Sequence, residues 1–362
     1  MKDTLVEISS FPPPLGSWSL RIEFIAERWR RLGHRCVLLN VGPSRRLKNP
    51  KYLNIGGPVR YFSYVLKEAW AGSVLHTHTN AKGVKGNLLA LATQLICLPF
   101  GRRCVLTFHA GTKQEYFPRT GRWLDHLMWL VFHTPRAIIC NSPAVKHLIV
   151  RDYGVDPDCV HPIPAFCHEY MQVEMGQLSS EVRRFVEQHE PTLVSYVYFF
   201  HEEFTPDLVF QAVARLRQEY PRLGLVLMGS RQYLENYQAA LDGSGAAEHV
   251  LLTGNLPRGE FLCMLKTATL YLRTPLGDGV CSSVLESLSL GTPVVASDNG
   301  TRPSSCVLYQ GGNLDDMVDK VRHVLQNLNA VATSIQRPAE ADTLTDEIDV
   351  LLSVKEEKRT ES

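Results

Sequence analysis

The sequence predicts an α/β protein with two doubly wound, Rossmann-like halves, and three observations predict it. Short apolar runs alternate with segments of helical spacing up to about residue 153, and again from 192 onward. Between 154 and 190 that rhythm breaks into turns and polar stretches, as a linker does. At 362 residues, 44% hydrophobic and 21% charged, the chain is long enough for two cores.

In chain order, Leu5-Val-Glu-Ile8 reads as a first strand, followed by a proline turn and a helix from Ser19 to Leu32 that stops at Gly33. Cys36-Val-Leu-Leu39 and Val74-Leu-His-Thr-His78 are the next strands, and a helix is expected from about Gly86 to Ile96. Cys104 to His109 and Ala137 to Cys140 complete the central set, and Ser142-Pro143 opens a helix near Ala144. Val160 to Pro164 reads as an edge piece. In the second half, strands are expected at Thr192 to Phe199, Gly224 to Met228, Val250 to Leu252 and Thr269 to Arg273. Helices between them are expected near Pro206 to Glu219, Tyr233 to Leu241 and Arg258 to Thr267. Helices at Asp315 to Leu328 and Leu344 to Val354 close the chain. The expected division is 1–185, 191–335, and a tail of 336–362.

The densest pattern is Leu276-Gly-Asp-Gly-Val-Cys-Ser-Ser-Val-Leu-Glu-Ser-Leu-Ser-Leu-Gly-Thr-Pro-Val-Val-Ala-Ser-Asp298. Ser282 and Ser283 are N-cap candidates, Val284, Leu285 and Leu288 follow at helical spacing, and Gly291 with Pro293 supplies a stop. A helix from about Ser283 to Leu290 is expected, then a buried parallel strand through Pro293-Val-Val-Ala296. The first N–H groups of such a helix have no partner within it and favour an anion, so Gly279, Val280, Cys281, Ser282 and Ser283 form a candidate pyrophosphate cradle. Glu286, one turn in, can accept from ribose hydroxyls, and Asp278 before the helix can face hydroxyls of a transferred sugar. Without its context, such an acidic pair is a partner for the helix dipole plus a solvated face.

This segment resembles the family 4 retaining glycosyltransferases of the GT-B fold, whose signature is an acidic pair spaced E-x7-E ahead of a Gly and a Pro-Val-Val strand. Here the pair is Asp278 and Glu286, with Ser287 where Ala is common. The resemblance runs from Pro12 to about Leu325. It implies two Rossmann-like domains facing across a cleft, the second binding a nucleoside-diphosphate sugar and the first an acceptor. UDP is the nucleotide implied, the acceptor a saccharide or lipid-linked saccharide, and the setting the assembly of surface polysaccharide. No cofactor beyond the sugar nucleotide is implied, and no metal.

Ligands of doubly wound sheets sit at the carboxyl ends of the strands, which directs attention to residues just after them. By resemblance, Gly16 borders the transferred phosphates and acceptor, and His109, in Leu106-Thr-Phe-His-Ala-Gly111, lies near the donor sugar. His76 and His78 share a face of one strand, and His78 is nearer its carboxyl end. Each histidine also has a plain reading as a structural strand-end residue. Family members usually carry an Arg and a Lys after the first strand of the second domain; Phe200-His-Glu-Glu-Phe-Thr-Pro206 has neither. Losing one preorganised donor of that kind costs about 2.7 to 4 kcal/mol of barrier. Arg273 is the first candidate to fill the gap, with Arg231 and His201 behind it.

Asp156-Pro-Asp158 is formally a D-x-D, but it lies in a Gly/Pro turn and reads as loop chemistry. No serine elbow, P-loop or G-x-G-x-x-G after a strand is present, so hydrolase, nucleotide triphosphatase and NAD-dehydrogenase readings lose their main support. Nine cysteines without metal spacing read as reduced core residues. The chain lacks an eighteen-residue apolar run and a leader pattern in its first thirty residues, so a cytoplasmic protein is expected. Residues 1–190 carry 24 Lys and Arg against 15 Asp and Glu, while 191–362 carry 14 against 22. That basic first half suits an anionic membrane surface or acceptor, or is simply solvated helix faces, and no nucleic-acid motif accompanies it. Leu88 to Phe100 and Trp123 to Phe132 are too short to span and read as core helices, with an interfacial role as the alternative. Two further readings stay open: a GT-B protein that binds a sugar nucleotide without transferring it, and a sugar-nucleotide epimerase.

Overall fold

The computed structural model describes residues 3–12, 17–101, 104–121, 123–172, 174–197, 206–229, 231–339 and 341–356. They divide into two compact units, Met1–Cys167 with Asp342–Ser362, and His168–Ala341.

The first unit is a seven-stranded parallel sheet. Its strands are β1 (Thr4–Ser9), β2 (Arg35–Asn40), β3 (Leu53–Asn54), β4 (Val74–Thr79), β5 (Val105–Phe108), β6 (Ala137–Cys140) and β7 (Val160–Pro162), in the order β3-β2-β1-β4-β5-β6-β7. The reversal beside β1 is the doubly wound arrangement. Helices α1 (Ser17–Arg31), α2 (Pro58–Ala71), α3 (Val84–Cys97), α4 (Leu124–His133) and α5 (Pro143–Tyr153) supply its covering. Central strands bury both faces, so they read as unbroken apolar runs; all four residues of β6 are buried. At α5 the sequence cues act directly: Ser142 accepts from the Val145 amide at 3.3 Å, Pro143 takes the first turn, and Gly154 closes the helix at φ 72°. α2 was not predicted, because its apolar residues sit on two adjacent faces. Tyr61, Val65 and Ala69 are buried while Val59, Phe62, Leu66 and Trp70 are exposed.

The second unit holds a six-stranded parallel sheet of β8 (Thr192–Val197), β9 (Gly224–Gly229), β10 (Val250–Gly254), β11 (Leu270–Arg273), β12 (Val294–Ser297) and β13 (Val307–Tyr309), ordered β10-β9-β8-β11-β12-β13. Its helices are α6 (Ser180–Gln188), α7 (Pro206–Leu216), α8 (Leu234–Asp242), α9 (Arg258–Thr267), α10 (Ser282–Leu290), α11 (Leu314–Gln326) and α12 (Leu328–Ser334). The single helix expected at Asp315 to Leu328 is thus two. A backbone break at Asn327, φ −120° and ψ 28°, separates α11 from α12. One core lies around Phe210, Leu225 and Val321 and another around Val194, Met228 and Val284. Gly229 closes β9 where a Cβ would lie 2.2 Å from the Val197 carbonyl, so only glycine lets these strands end side by side.

The last helix, α13 (Thr343–Glu356), belongs to the first unit. Buried Arg21 of α1 donates Nε to Glu347 at 2.5 Å and Nη2 to the Thr343 carbonyl at 2.7 Å. Thr343 in turn donates its hydroxyl to the Phe166 carbonyl at 2.6 Å.

Candidate functional site

The sequence places chemistry at strand ends, and the two units each gather such residues into a cluster. In the second unit, β11 delivers Arg273, and the loop to α10 carries Asp278, Gly279, Val280 and Cys281. Asp278 Oδ2 accepts from both Nε and Nη2 of Arg273, at 2.8 and 2.7 Å, and Oδ1 accepts from Arg302 Nη2 at 2.7 Å. Burial pushes this carboxyl up, but the Arg273 and Arg302 guanidiniums outweigh it and hold it below the usual carboxylate range. Two cations on one anion leave the loop with a surplus positive charge.

Arg302 also donates to the carbonyls of Pro275, Gly279 and Ser297, and Asn299 donates to those of Asp278 and Gly279. With its carbonyls tied down in this way, the loop turns its amides elsewhere. Those of Cys281, Ser282 and Ser283 have no acceptor among the described residues. They form the open end of α10, where the helix dipole favours an anion.

The N-cap expectation is corrected. Cys281, not Ser282 or Ser283, takes the cap position, at φ 63° and ψ 115° and without a side-chain cap bond. Ser282 is already the first helical residue. The Ser283 hydroxyl bonds the Tyr271 hydroxyl at 2.7 Å beneath the helix instead. Left-handed φ at a non-glycine residue is costly and is held here by the surrounding bonds.

Glu286 lies one turn in and is buried, its Oε1 accepting from Arg258 Nη2 at 2.8 Å. Arg258, on α9, spans to the Tyr170 carbonyl at 3.0 Å, and its Nε is buried without a partner. Arg231 follows β9, exposed, with its stem against Gly254; among the described residues no bond joins it to the Asp278 cluster. Gly16 and His201, and with them most of the Phe200 to Pro206 stretch, lie outside the described residues.

The first unit's cluster is histidine-rich. Glu7, on β1, is fully buried, and its Oε2 lies 3.0 Å from His76 Nδ1 and 2.8 Å from His78 Nε2 on neighbouring β4. His78 Nδ1 is 3.0 Å from Nε2 of His109, just past β5. His76 Nε2 meets the Thr107 hydroxyl at 2.7 Å. Trp18 of α1 stacks on His109 with centroids 4.1 Å apart. Burial raises the Glu7 carboxyl, yet the two histidines bring it down to about 2. Burial lowers His76, but Glu7 outweighs it and His76 ends raised. His78 is lowered by burial and the charge of His76, and His109 is lowered further by burial beside both.

Sequence reasoning missed Glu7, Arg258, Asn299 and Arg302. A carboxylate inside the apolar run Leu5 to Ile8 was a visible signal for Glu7, and Arg302 lies in the loop just past β12, next to the strand β11 that Arg273 ends. Arg258 gave no signal, because only packing brings α9 beside α10.

Two family models match, Glycosyltransferase Family 4 over residues 21–167 and Glycosyl transferases group 1 over 180–337. Among curated proteins, the chain is 28% identical over 120 residues to a GDP-mannose-dependent alpha-(1-6)-phosphatidylinositol monomannoside mannosyltransferase of Mycolicibacterium smegmatis. It is 25% identical over 173 residues to an alpha-monoglucosyldiacylglycerol synthase of Streptococcus pneumoniae. These matches take in 31% and 46% of this chain and only 31% and 38% of those relatives. Solved structures match over nearly the whole length. HepE of Anabaena in complex with UDP-glucose aligns with TM-score 0.72 and 15% identity, covering 98% of this chain and 99% of that one. A Rickettsia africae glycosyltransferase gives 0.71 and 12%, with the same coverage. A UDP-N-acetylglucosamine 2-epimerase gives 0.61 and 11%, covering 98% and 96%, so likeness at this level shows the fold alone. With two matched domains in series on two parallel-sheet Rossmann-like units, the chain belongs to the family 4, group 1 glycosyltransferases of the GT-B fold.

Proposed function

We propose that this protein is a retaining glycosyltransferase that moves a sugar from a UDP-sugar to a saccharide or lipid-linked saccharide acceptor in surface polysaccharide assembly, without a metal. One observation carries the reading: the open amides of Cys281, Ser282 and Ser283, which follow directly on the loop whose Asp278 is bound by both Arg273 and Arg302. As the bond between the anomeric carbon and the diphosphate breaks, negative charge grows on the leaving phosphates. Preorganised donors in that position stabilise it without a metal. Glu286, oriented by Arg258, is assigned to the ribose hydroxyls, and Asp278 and Arg273 to the loop that holds the donor. Arg231 and His201 are assigned to the phosphates, while His109 and Gly16 are assigned to the transferred sugar and acceptor, with His78 behind His109.

The activities named for the two curated relatives concern a phosphatidylinositol mannoside and a glucosyldiacylglycerol, which supports a lipid-linked acceptor. So does the surface of the first unit. α2 exposes Val59, Phe62, Leu66 and Trp70 at steps of three and four residues; Val59 is 77% and Trp70 78% exposed. Neighbouring α3 exposes Leu88 and Leu95, and Trp123, just before α4, is 70% exposed. Exposed Arg60, Lys67, Lys82 and Lys85 accompany them. Exposed apolar side chains with cations on or beside the same helices fit the headgroup boundary of an anionic membrane at its cytoplasmic face. No helix among the described residues is long and apolar enough to cross a membrane.

The test is calorimetry with UDP, then a donor screen read by UDP release in EDTA with polyprenyl-phosphate sugars as acceptors. UDP binding that fails, or that survives Glu286→Ala with Ser283→Pro, rejects the site. Donor converted by enzyme alone, followed by NMR, supports the epimerase instead.

A further inference from the structure

We propose that Glu7 and His78 are positioning residues that fix the ring of His109 as its Nε2–H tautomer and so offer His109 Nδ1 as a hydrogen-bond acceptor to a sugar hydroxyl. The inference rests on the glycosyltransferase reading for the identity of that hydroxyl, and on the geometry of the first unit for everything else.

The bonds dictate the tautomers one after another. Glu7 is a carboxylate, which only accepts, and its Oε2 lies 2.8 Å from His78 Nε2. That nitrogen must therefore carry a proton. A neutral His78 then has a bare Nδ1, and the nitrogen 3.0 Å from it, His109 Nε2, must be the donor. A neutral His109 that donates from Nε2 is left with a bare Nδ1, and this atom has no hydrogen-bond partner among the described residues. His76, whose Nδ1 also lies 3.0 Å from Glu7 Oε2 and whose Nε2 meets the Thr107 hydroxyl, balances the buried carboxylate as a cation. The charge is thus settled between Glu7 and His76, and neutrality is left to His78 and His109, in agreement with the lowered values of both rings. The other charged groups acting on these rings, Arg21 of α1 and Glu347 of α13, form a pair of their own at 2.5 Å. Trp18 stacked on His109 fixes the plane of the ring while the relay fixes its protons.

Had Glu7 been neutral or absent, His78 would be free to turn over its tautomer, and His109 would present a donor as readily as an acceptor. In a histidine held by a carboxylate, a wrong tautomer in intact geometry costs up to about 10⁴ in turnover. A relay through a second imidazole is expected to show at least about a tenfold share of such an effect.

The experiment is a long-range ¹H–¹⁵N spectrum of the full chain labelled at histidine, with signals assigned by single His→Gln variants. The expected result near neutral pH is His78 and His109 neutral with the proton on Nε2, and His76 doubly protonated. Glu7→Gln should scramble the His109 tautomer and lower kcat/KM for the sugar nucleotide at least about tenfold, leaving UDP affinity unchanged. Should that variant fail to fold, the wild-type spectrum still decides. His109 found as the Nδ1–H form, or as a cation, overturns the proposal. So does one equivalent of a divalent metal in the purified protein, since the ligand atoms of Glu7, His76 and His78 lie within 4.8 Å of one another. A wild-type chain that shows the expected tautomers yet binds no UDP upholds the relay and rejects the donor reading alone.

Discussion

Arg273 spends its guanidinium on Asp278, with Nε and Nη2 both on Oδ2 at 2.8 and 2.7 Å and Nη1 on the Tyr196 carbonyl at 2.6 Å. Arginine and aspartate therefore form one bonded unit, and under the proposed function they act on the diphosphate through the loop they hold. Arg273→Ala is expected to slow turnover about a hundredfold, and Asp278→Asn by a similar factor. The double variant should be little worse than either single, because residues acting as a unit do not add. Single-turnover kinetics on the three variants provides the check, and strictly additive losses would show the two residues working apart.

Glu286 is buried and bonded to Arg258, so its carboxylate is already oriented before any ligand arrives. Glu286→Gln keeps the volume and removes the charge. UDP affinity should weaken about tenfold, or about 1.4 kcal/mol. Arg258→Ala should weaken it as well, and should also destabilise the unit by about 2 kcal/mol, since a charge-assisted bond to a buried group is lost. Calorimetry and urea denaturation separate the two effects.

Cys281 holds φ at 63°, which suits glycine. Cys281→Gly should retain UDP binding and stability. Cys281→Val should cost about 1 to 3 kcal/mol and loosen the amides beside it. Equal stability of the glycine and valine variants would show that the cap backbone is not held in this conformation.

The histidine cluster sets a pH dependence. His78 and His109 lie below the ordinary imidazole value of 6.5, so below about pH 6.5 the unfolded chain binds protons on these rings that the folded chain refuses. Stability therefore falls as pH falls from about 6.5 toward their folded values. His76 is raised and works in the opposite sense: its contribution is present below 6.5 and lost as pH rises through its folded value. Chemical denaturation at about pH 7 and about pH 5.5 should show a smaller acid loss in His109→Gln than in wild type. An unchanged difference would mean that His109 titrates normally.

The exposed apolar stripe on α2 predicts a membrane phenotype. Leu66→Ser with Trp70→Ser should leave stability within about 0.5 kcal/mol, because neither side chain is in the core. Cosedimentation with phosphatidylglycerol vesicles should drop severalfold, and wild-type binding should fade with salt. Undiminished binding of the double variant would place the contact elsewhere.

Much of this was legible in the chain, for identifiable reasons. Buried parallel strands are continuous apolar runs, so Ala137–Cys140 was bounded to the residue, and Arg258–Thr267 likewise by its helical spacing. Pro58–Ala71 escaped because it divides its apolar residues between the core and the surface, and Val307–Tyr309 because three residues on a sheet edge carry almost no pattern. The acidic pair was found from its spacing, but its partners Arg302 and Arg258 were not. They come from segments 24 and 28 residues away whose approach depends on the sheet order.

By itself the sequence determined the two alternating halves, the loop and helix at residues 276–290, and which polar residues stand at strand ends. Those are matters of local periodicity and turn chemistry, written in consecutive residues. Only the tertiary structure decided who pairs with whom: Asp278 with two arginines, Glu286 with Arg258, and Glu7 with His76 and His78 from the next strand. Such pairings follow from strand order and register, which bring together groups as far as 71 residues apart, and a buried charge must find a partner among whatever that order places beside it.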